Sequence, residues 1–96
     1  MASTLRLDLN YPPFQRELFD LDASEYRAVA RNLRKLSSMS WSEVYADHGL
    51  KWEAVRSMPG RFTIRLSQKF RAVVSRDGDF IRFMALHPDH DGAYRR

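Results

Sequence analysis

Ninety-six residues, 44% of them hydrophobic and 29% charged, fit one domain around one modest core and exclude a disordered chain. The absence of cysteine removes disulfides and thiolate metal sites, and no run approaches the ~20 apolar residues of a membrane span. The net charge of +4 is held unevenly: residues 61–96 carry eight Lys and Arg against four acids, whereas residues 1–60 carry eight of each sign. A polyanion suits such a surface, and nucleic acid is the commonest one. The plain alternative is a solvated basic face. Asp8 and Asn10 interrupt any basic-then-apolar leader, so a cytoplasmic location is expected.

Along the chain, Leu5, Leu7 and Leu9 alternate with Arg6 and Asp8, the period-two pattern of a half-buried strand. Tyr11-Pro12-Pro13 stops it and opens a helix, because proline is tolerated in the first turn. Phe14, Leu18 and Leu21 share one face of that helix. Asp22 and Glu25 have capping-box spacing and begin a second helix. Tyr26, Val29, Ala30, Leu33 and Leu36 form its apolar stripe, and Arg27, Arg31, Arg34 and Lys35 its opposite face. With few acids nearby this row repels itself. It is either a docking stripe for an anionic or acidic partner or a soluble face. Ser40 and Glu43 repeat the capping-box spacing, giving a short helix that His48-Gly49 is expected to end. Trp41, Val44 and Tyr45 form its packing face. His48 reads as a helix-terminus contact rather than a catalyst.

The period then becomes two. Leu50, Trp52 and Ala54 alternate with Lys51 and Glu53, and Met58-Pro59-Gly60 turns the chain. Phe62, Ile64 and Leu66 alternate with Thr63 and Arg65. A strand over Lys69–Ser75 leads to Arg76-Asp77-Gly78-Asp79, in which Asp-Gly is a strong hairpin signal. Phe80–Leu86 is the closing strand. The order predicts a single α+β domain: an N-terminal strand and two to three helices on one face of a curled, three- to four-stranded antiparallel sheet.

Parity sharpens this. If Phe62, Ile64 and Leu66 face the core, Arg65 faces away, and if Phe70, Ala72 and Val74 do, then Lys69, Arg71 and Val73 face away. Arg65 and Arg71 would then be neighbours on one face. Two guanidiniums that close need an anion between them or cost stability. In the closing strand Arg82 and Met84 oppose Ile81, Phe83 and Ala85, and Pro88 leaves the direction of His87 open.

This set suits cleavage of an RNA phosphodiester without a metal. The 2′-hydroxyl must lose a proton, the phosphorane gains charge, and the leaving 5′-oxygen must receive a proton. An imidazole titrates near neutrality, which makes His90 or His87 a candidate base or acid. Arg65 and Arg71 would stabilise the phosphate through multi-donor hydrogen bonds. Tyr94 would stack on a base or transfer a proton. Lys69 and Arg82 would hold flanking phosphates, with Arg61 and Lys51 as further RNA contacts, and Asp89 and Asp91 would orient the histidines. Taken singly, each has a bland reading: histidine beside Pro-Asp is often turn chemistry, and a C-terminal tyrosine often packs on its sheet. Their convergence between Arg65 and Tyr94 favours a site. His87, Asp89, His90 and Asp91 are all potential metal ligands. One short loop in a cationic field is a poor zinc site, so no metal is expected. No nucleophile triad and no glycine-rich phosphate loop is evident.

Four segments then carry a family likeness: Leu50-Lys51-Trp52-Glu53, Phe62-Thr63-Ile64-Arg65-Leu66, Lys69-Phe70-Arg71-Ala72-Val73-Val74 and His87-Pro88-Asp89-His90-Asp91-Gly92-Ala93-Tyr94. Together they resemble the RelE/ParE superfamily of small bacterial toxins from type II toxin–antitoxin pairs. The RelE branch comprises ribosome-dependent endoribonucleases that cut mRNA and inhibit translation. The resemblance implies a RelE-like fold, Arg71 at the scissile phosphate, Arg65 as its cationic neighbour, Tyr94 as the family's C-terminal tyrosine and His90 at a basic or imidazole position. Some members carry arginines where this chain has Pro88 and His90. It also implies a cognate antitoxin, with Arg27, Arg31 and Arg34 as contacts, the ribosome and mRNA as partners, and neither membrane nor cofactor. The ParE branch poisons DNA gyrase and generally lacks the histidine/tyrosine ending. A ParE-like gyrase inhibitor and a non-catalytic RNA-binding module are the alternatives.

Overall fold

The structure, a computed structural model, describes residues 4–88. In chain order these form β1 (Arg6–Asp8), α1 (Pro12–Phe19), α2 (Ala23–Leu36), α3 (Trp41–Ala46), β2 (Glu53–Ala54), β3 (Phe62–Arg65), β4 (Phe70–Asp77) and β5 (Phe80–Pro88). The α+β class follows, but the sheet differs from expectation. Among the described residues it has five strands in the order β1-β5-β4-β3-β2 and is mixed rather than antiparallel. The parallel pair is β1 with β5, where Leu7 lies opposite Ile81. A parallel pair needs a long connection, and here everything from α1 to β4 lies between its two strands. No local turn signal reports such a pairing. At the other edge β2 has only two residues, although the alternation begins at Leu50. Lys51, at φ 50°, leaves extended space just before it.

α1 opens on Pro12 and Pro13 without a side-chain cap, whereas α2 and α3 begin where their caps say. Asp22 accepts the Glu25 N–H at 2.8 Å, and Ser40 and Glu43 complete a reciprocal capping box. The end of α3 departs from expectation. It stops at Ala46, and Asp47 rather than His48-Gly49 terminates it: the Asp47 carboxylate accepts the N–H groups of Gly49 and Leu50. Gly49 is not among the left-handed glycines, which are Gly60 and Gly78. Gly78 opens the two-residue loop between Asp77 and Phe80 with φ 58°, a sign that glycine adopts freely and that hairpin loops require.

The core fills one face of the sheet. Ile64, Ala72, Val74, Ile81 and Phe83 meet Phe14, Leu18, Val29, Leu33 and Leu36 from the helices. Phe14 packs on Phe83 with ring centres 5.2 Å apart. Tyr26, expected in the apolar stripe of α2, lies at its edge, exposed and beside Phe19.

Between Val73 and Val74 the β4–β5 register shifts: Val73 pairs with Ala85 and Val74 with Phe83, so Met84 is an extra residue on β5. Such a bulge reverses alternation beyond it. Ala85, expected on the core side, is therefore only half-buried, while Leu86 is buried. The strand also runs past Leu86 to Pro88. The Leu86 N–H is taken at 2.9 Å by the Glu17 carboxylate of α1.

Asp47 ties the ends of α2 and α3 together through a 2.7 Å ion pair with Lys35. The Lys35 hydrogen bond holds the Asp47 carboxyl below its ordinary pKa, the Leu50 and Gly49 N–H groups add to this, and burial opposes it. A carboxylate with a lowered folded-state pKa adds stability that is complete above its unfolded value, ~3.9, and is lost as pH falls through the folded one. Asp47→Asn keeps the acceptor and removes the charge. It should cost up to about 1 kcal/mol at neutral pH and nothing in strong acid, as read from denaturation midpoints at the two extremes.

Candidate functional site

The register of three strands builds one row of side chains. Arg65 lies opposite Arg71, and Arg71 opposite His87. Their neighbours Ile64, Ala72 and Leu86 are buried, so alternation turns Arg65, Arg71 and His87 to the face away from the helices. Adjacent strands are ~4.8 Å apart, which puts the three Cα atoms across roughly 10 Å. The bulge at Met84 is what brings His87 to this face.

Arginines directly opposite one another repel unless an anion intervenes. The protein supplies one from β2. The Arg71 Nη2 group donates to Glu53 Oε1 at 3.0 Å, to Thr63 Oγ1 at 3.1 Å and to the Lys51 carbonyl at 3.2 Å. The Arg71 side chain is only 12% exposed, whereas that of Glu53 is 65% exposed. A cation is thus fixed in place by a carboxylate that itself faces water. Lys51 enters this cage through its main chain, at the residue whose φ is positive.

The other basic residues singled out from sequence lie elsewhere. Lys69 turns toward α2, 3.9 Å from Glu25. It shares a groove of about 430 Å³ with Arg31, Asn32 and Ser67. Arg82 is on the same face as Arg71, opposite Ser75, but about 13 Å along β4. There it is paired with Asp77 at 2.8 Å and Asp8 at 3.5 Å. Arg61 sits in the turn before β3, and its N–H donates to the Met58 carbonyl. Arg27, Arg31 and Arg34 are exposed along α2. His90 and Tyr94, with Asp89 and Asp91, fall outside the described residues.

Family models, curated proteins and solved structures offer no match to this chain. Its chemistry must be read from the row itself. Two guanidiniums and an imidazole across three strands can neutralise an oxyanion and exchange a proton beside it. Glu53 and Thr63 were not picked out from sequence, although the alternation already put Glu53 on the same face as Lys51. What was missing was the pairing of Glu53 with Thr63, two residues from Arg65.

Glu53 competes with any external anion for Arg71. Glu53→Gln should therefore tighten binding of polyphosphate by about five-fold at low salt, the equivalent of one exposed ion pair. Fluorescence anisotropy with a labelled chain measures this, and unchanged affinity would mean that the row is not the anion's seat.

Proposed function

We propose that this chain is a RelE-like toxin of a type II toxin–antitoxin pair, a ribosome-dependent endoribonuclease that cleaves mRNA in the cytoplasm. The observation that carries the reading is the adjacency of Arg65, Arg71 and His87 on one sheet face. It supports the two arginines, Arg71 and Arg65, of the constellation that the family resemblance implies.

In this reading an mRNA phosphate displaces the Glu53 carboxylate and lies across the row. Arg71, already oriented by Thr63 and the Lys51 carbonyl, and Arg65 stabilise the charge that builds on the phosphorane. The 2′-hydroxyl gives up its proton and its oxygen bonds to phosphorus. The bond to the 5′-oxygen breaks, and that oxygen takes a proton, leaving a 2′,3′-cyclic phosphate. His87 stands beside Arg71 to move one of these protons. His90 and Tyr94 are assigned the remaining acid, base or stacking work by their side-chain chemistry and by the resemblance. No metal or cofactor enters the scheme. The exposed arginines of α2, Arg27, Arg31 and Arg34, offer an acidic antitoxin segment a complementary stripe.

One observation favours a second reading. The Arg71 guanidinium is largely covered and already holds a carboxylate, as a surface that binds without cutting would require. A ParE-like gyrase inhibitor would then elicit a DNA-damage response with intact messages, and His90→Ala would matter little. An RNA-binding module would be non-toxic, with RNA affinity falling steeply with salt.

Inducing the chain in bacteria and mapping mRNA 5′ ends separates these readings. New 5′ ends should appear with growth arrest. Arg71→Ala should lower cleavage by about 10²–10³-fold, and Arg71→Ala and Tyr94→Phe should each restore growth while the protein stays folded. Arrest with intact messages would overturn the reading.

A further inference from the structure

Away from the row, both tryptophans of the chain belong to a single aromatic cluster. Trp41 and Tyr45 of α3 stack with ring centres 5.7 Å apart. Each meets Trp52 edge-on, at 5.4 and 5.5 Å, and Trp52 stacks on Phe62 at 4.6 Å. Trp52, Phe62 and Trp41 are partly buried and pack against the core. The outer part is open, with Tyr45 48% exposed.

Over the outer part lies Arg76. Its guanidinium carbon is 4.4 Å from the Trp41 ring centre and 5.8 Å from that of Tyr45. The Arg76 Nη1 group donates to the Tyr45 hydroxyl. Trp41 is itself fixed by a 2.9 Å bond from its Nε1–H to the Gly78 carbonyl. Arg76 is exposed and has no ion-pair partner among the described residues. Its acidic chain neighbour, Asp77, is committed to Arg82. A planar cation thus lies over an indole with no carboxylate paired to it among the described residues.

That combination selects its ligand. A buried cluster would need no open guanidinium, and a simple anion site would need no flat apolar backing. A nucleobase uses both: it stacks on aromatic or guanidinium planes while the adjoining phosphate meets the charge. We propose that Trp41, Tyr45 and Arg76 form a stacking subsite for a base of single-stranded RNA, separate from the Arg65–Arg71–His87 row. The subsite rests on the ribonuclease reading and adds a second contact to it. Arg76 is five residues beyond Arg71 on β4, about 17 Å along the strand and on the opposite face. The two sites therefore hold different nucleotides. The subsite grips substrate remote from the bond that breaks.

Because both tryptophans lie in the cluster, their emission reports its occupancy. A short oligouridylate titrated into the full chain should quench tryptophan fluorescence saturably, and a duplex RNA or heparin should quench it far less. Arg76→Ala and Tyr45→Ala should each weaken the affinity read by quenching about ten-fold. Arg76→Lys, which keeps the charge but not the plane, should weaken it nearly as much. Circular dichroism establishes that the variants are folded. Arg71→Ala should lower cleavage about 10²–10³-fold yet retain the quenching. RNA binding without quenching, or wild-type affinity in Arg76→Lys, overturns the subsite even if messages are cut. Quenching without message cleavage leaves the subsite standing and removes the nuclease.

Discussion

Between Val73 and Val74 the central ladder takes in one additional residue of β5, and the character of the exposed sheet face depends on that insertion. Before Met84, β5 sends Ile81 and Phe83 into the core; after it, Leu86 takes the inward position and His87 the outward one. Without the extra residue the imidazole would point toward the helices, and Arg71 would have no titratable neighbour on β5. Further along β5, beyond Phe80, Ile81 and Arg82 where β1 pairs with it, the Leu86 N–H is received by the Glu17 carboxylate of α1. The strand that carries the re-aimed imidazole therefore also anchors a helix.

Concentrating cations on a sheet face has an energetic cost that the fold meets locally. Arg71 is surrounded by a carboxylate, a hydroxyl and a carbonyl, drawn from β2, β3 and Lys51 just ahead of β2. Because Glu53 is the most exposed member of that cage, it is also the easiest to displace. The arrangement keeps the arginine oriented when nothing is bound, so that little side-chain entropy remains to be lost on binding. Arg82, by contrast, is half exposed and is shared between two carboxylates of the same domain, Asp77 and Asp8.

Much of this was legible in the chain. The two helix caps, the Asp-Gly hairpin and the placement of Arg65 opposite Arg71 follow from residue spacing, because each depends on neighbours a few positions away. The features that escaped are those set at longer range. Pairing of β1 with β5 joins Arg6 to Phe80 with no intervening turn to announce it. The bulge is invisible because Phe80–Leu86 alternates acceptably in either register. Lys69 reads as outward by parity, but it belongs to the turn, where alternation no longer governs direction, and Glu25 draws it toward α2. Glu53 sat in plain view on the right face, yet only the register reveals which arginine it serves.

The position of β5 between β1 and β4 has a consequence for biosynthesis. Closing a contact as distant as Arg6 with Phe80 is slow and entropically costly, and no pairing of β1 can precede the emergence of β5. His87 is carried by the same strand. A nascent chain with Arg65 and Arg71 already translated still lacks the imidazole and the parallel edge, so the cationic row is completed only when β5 has left the ribosome.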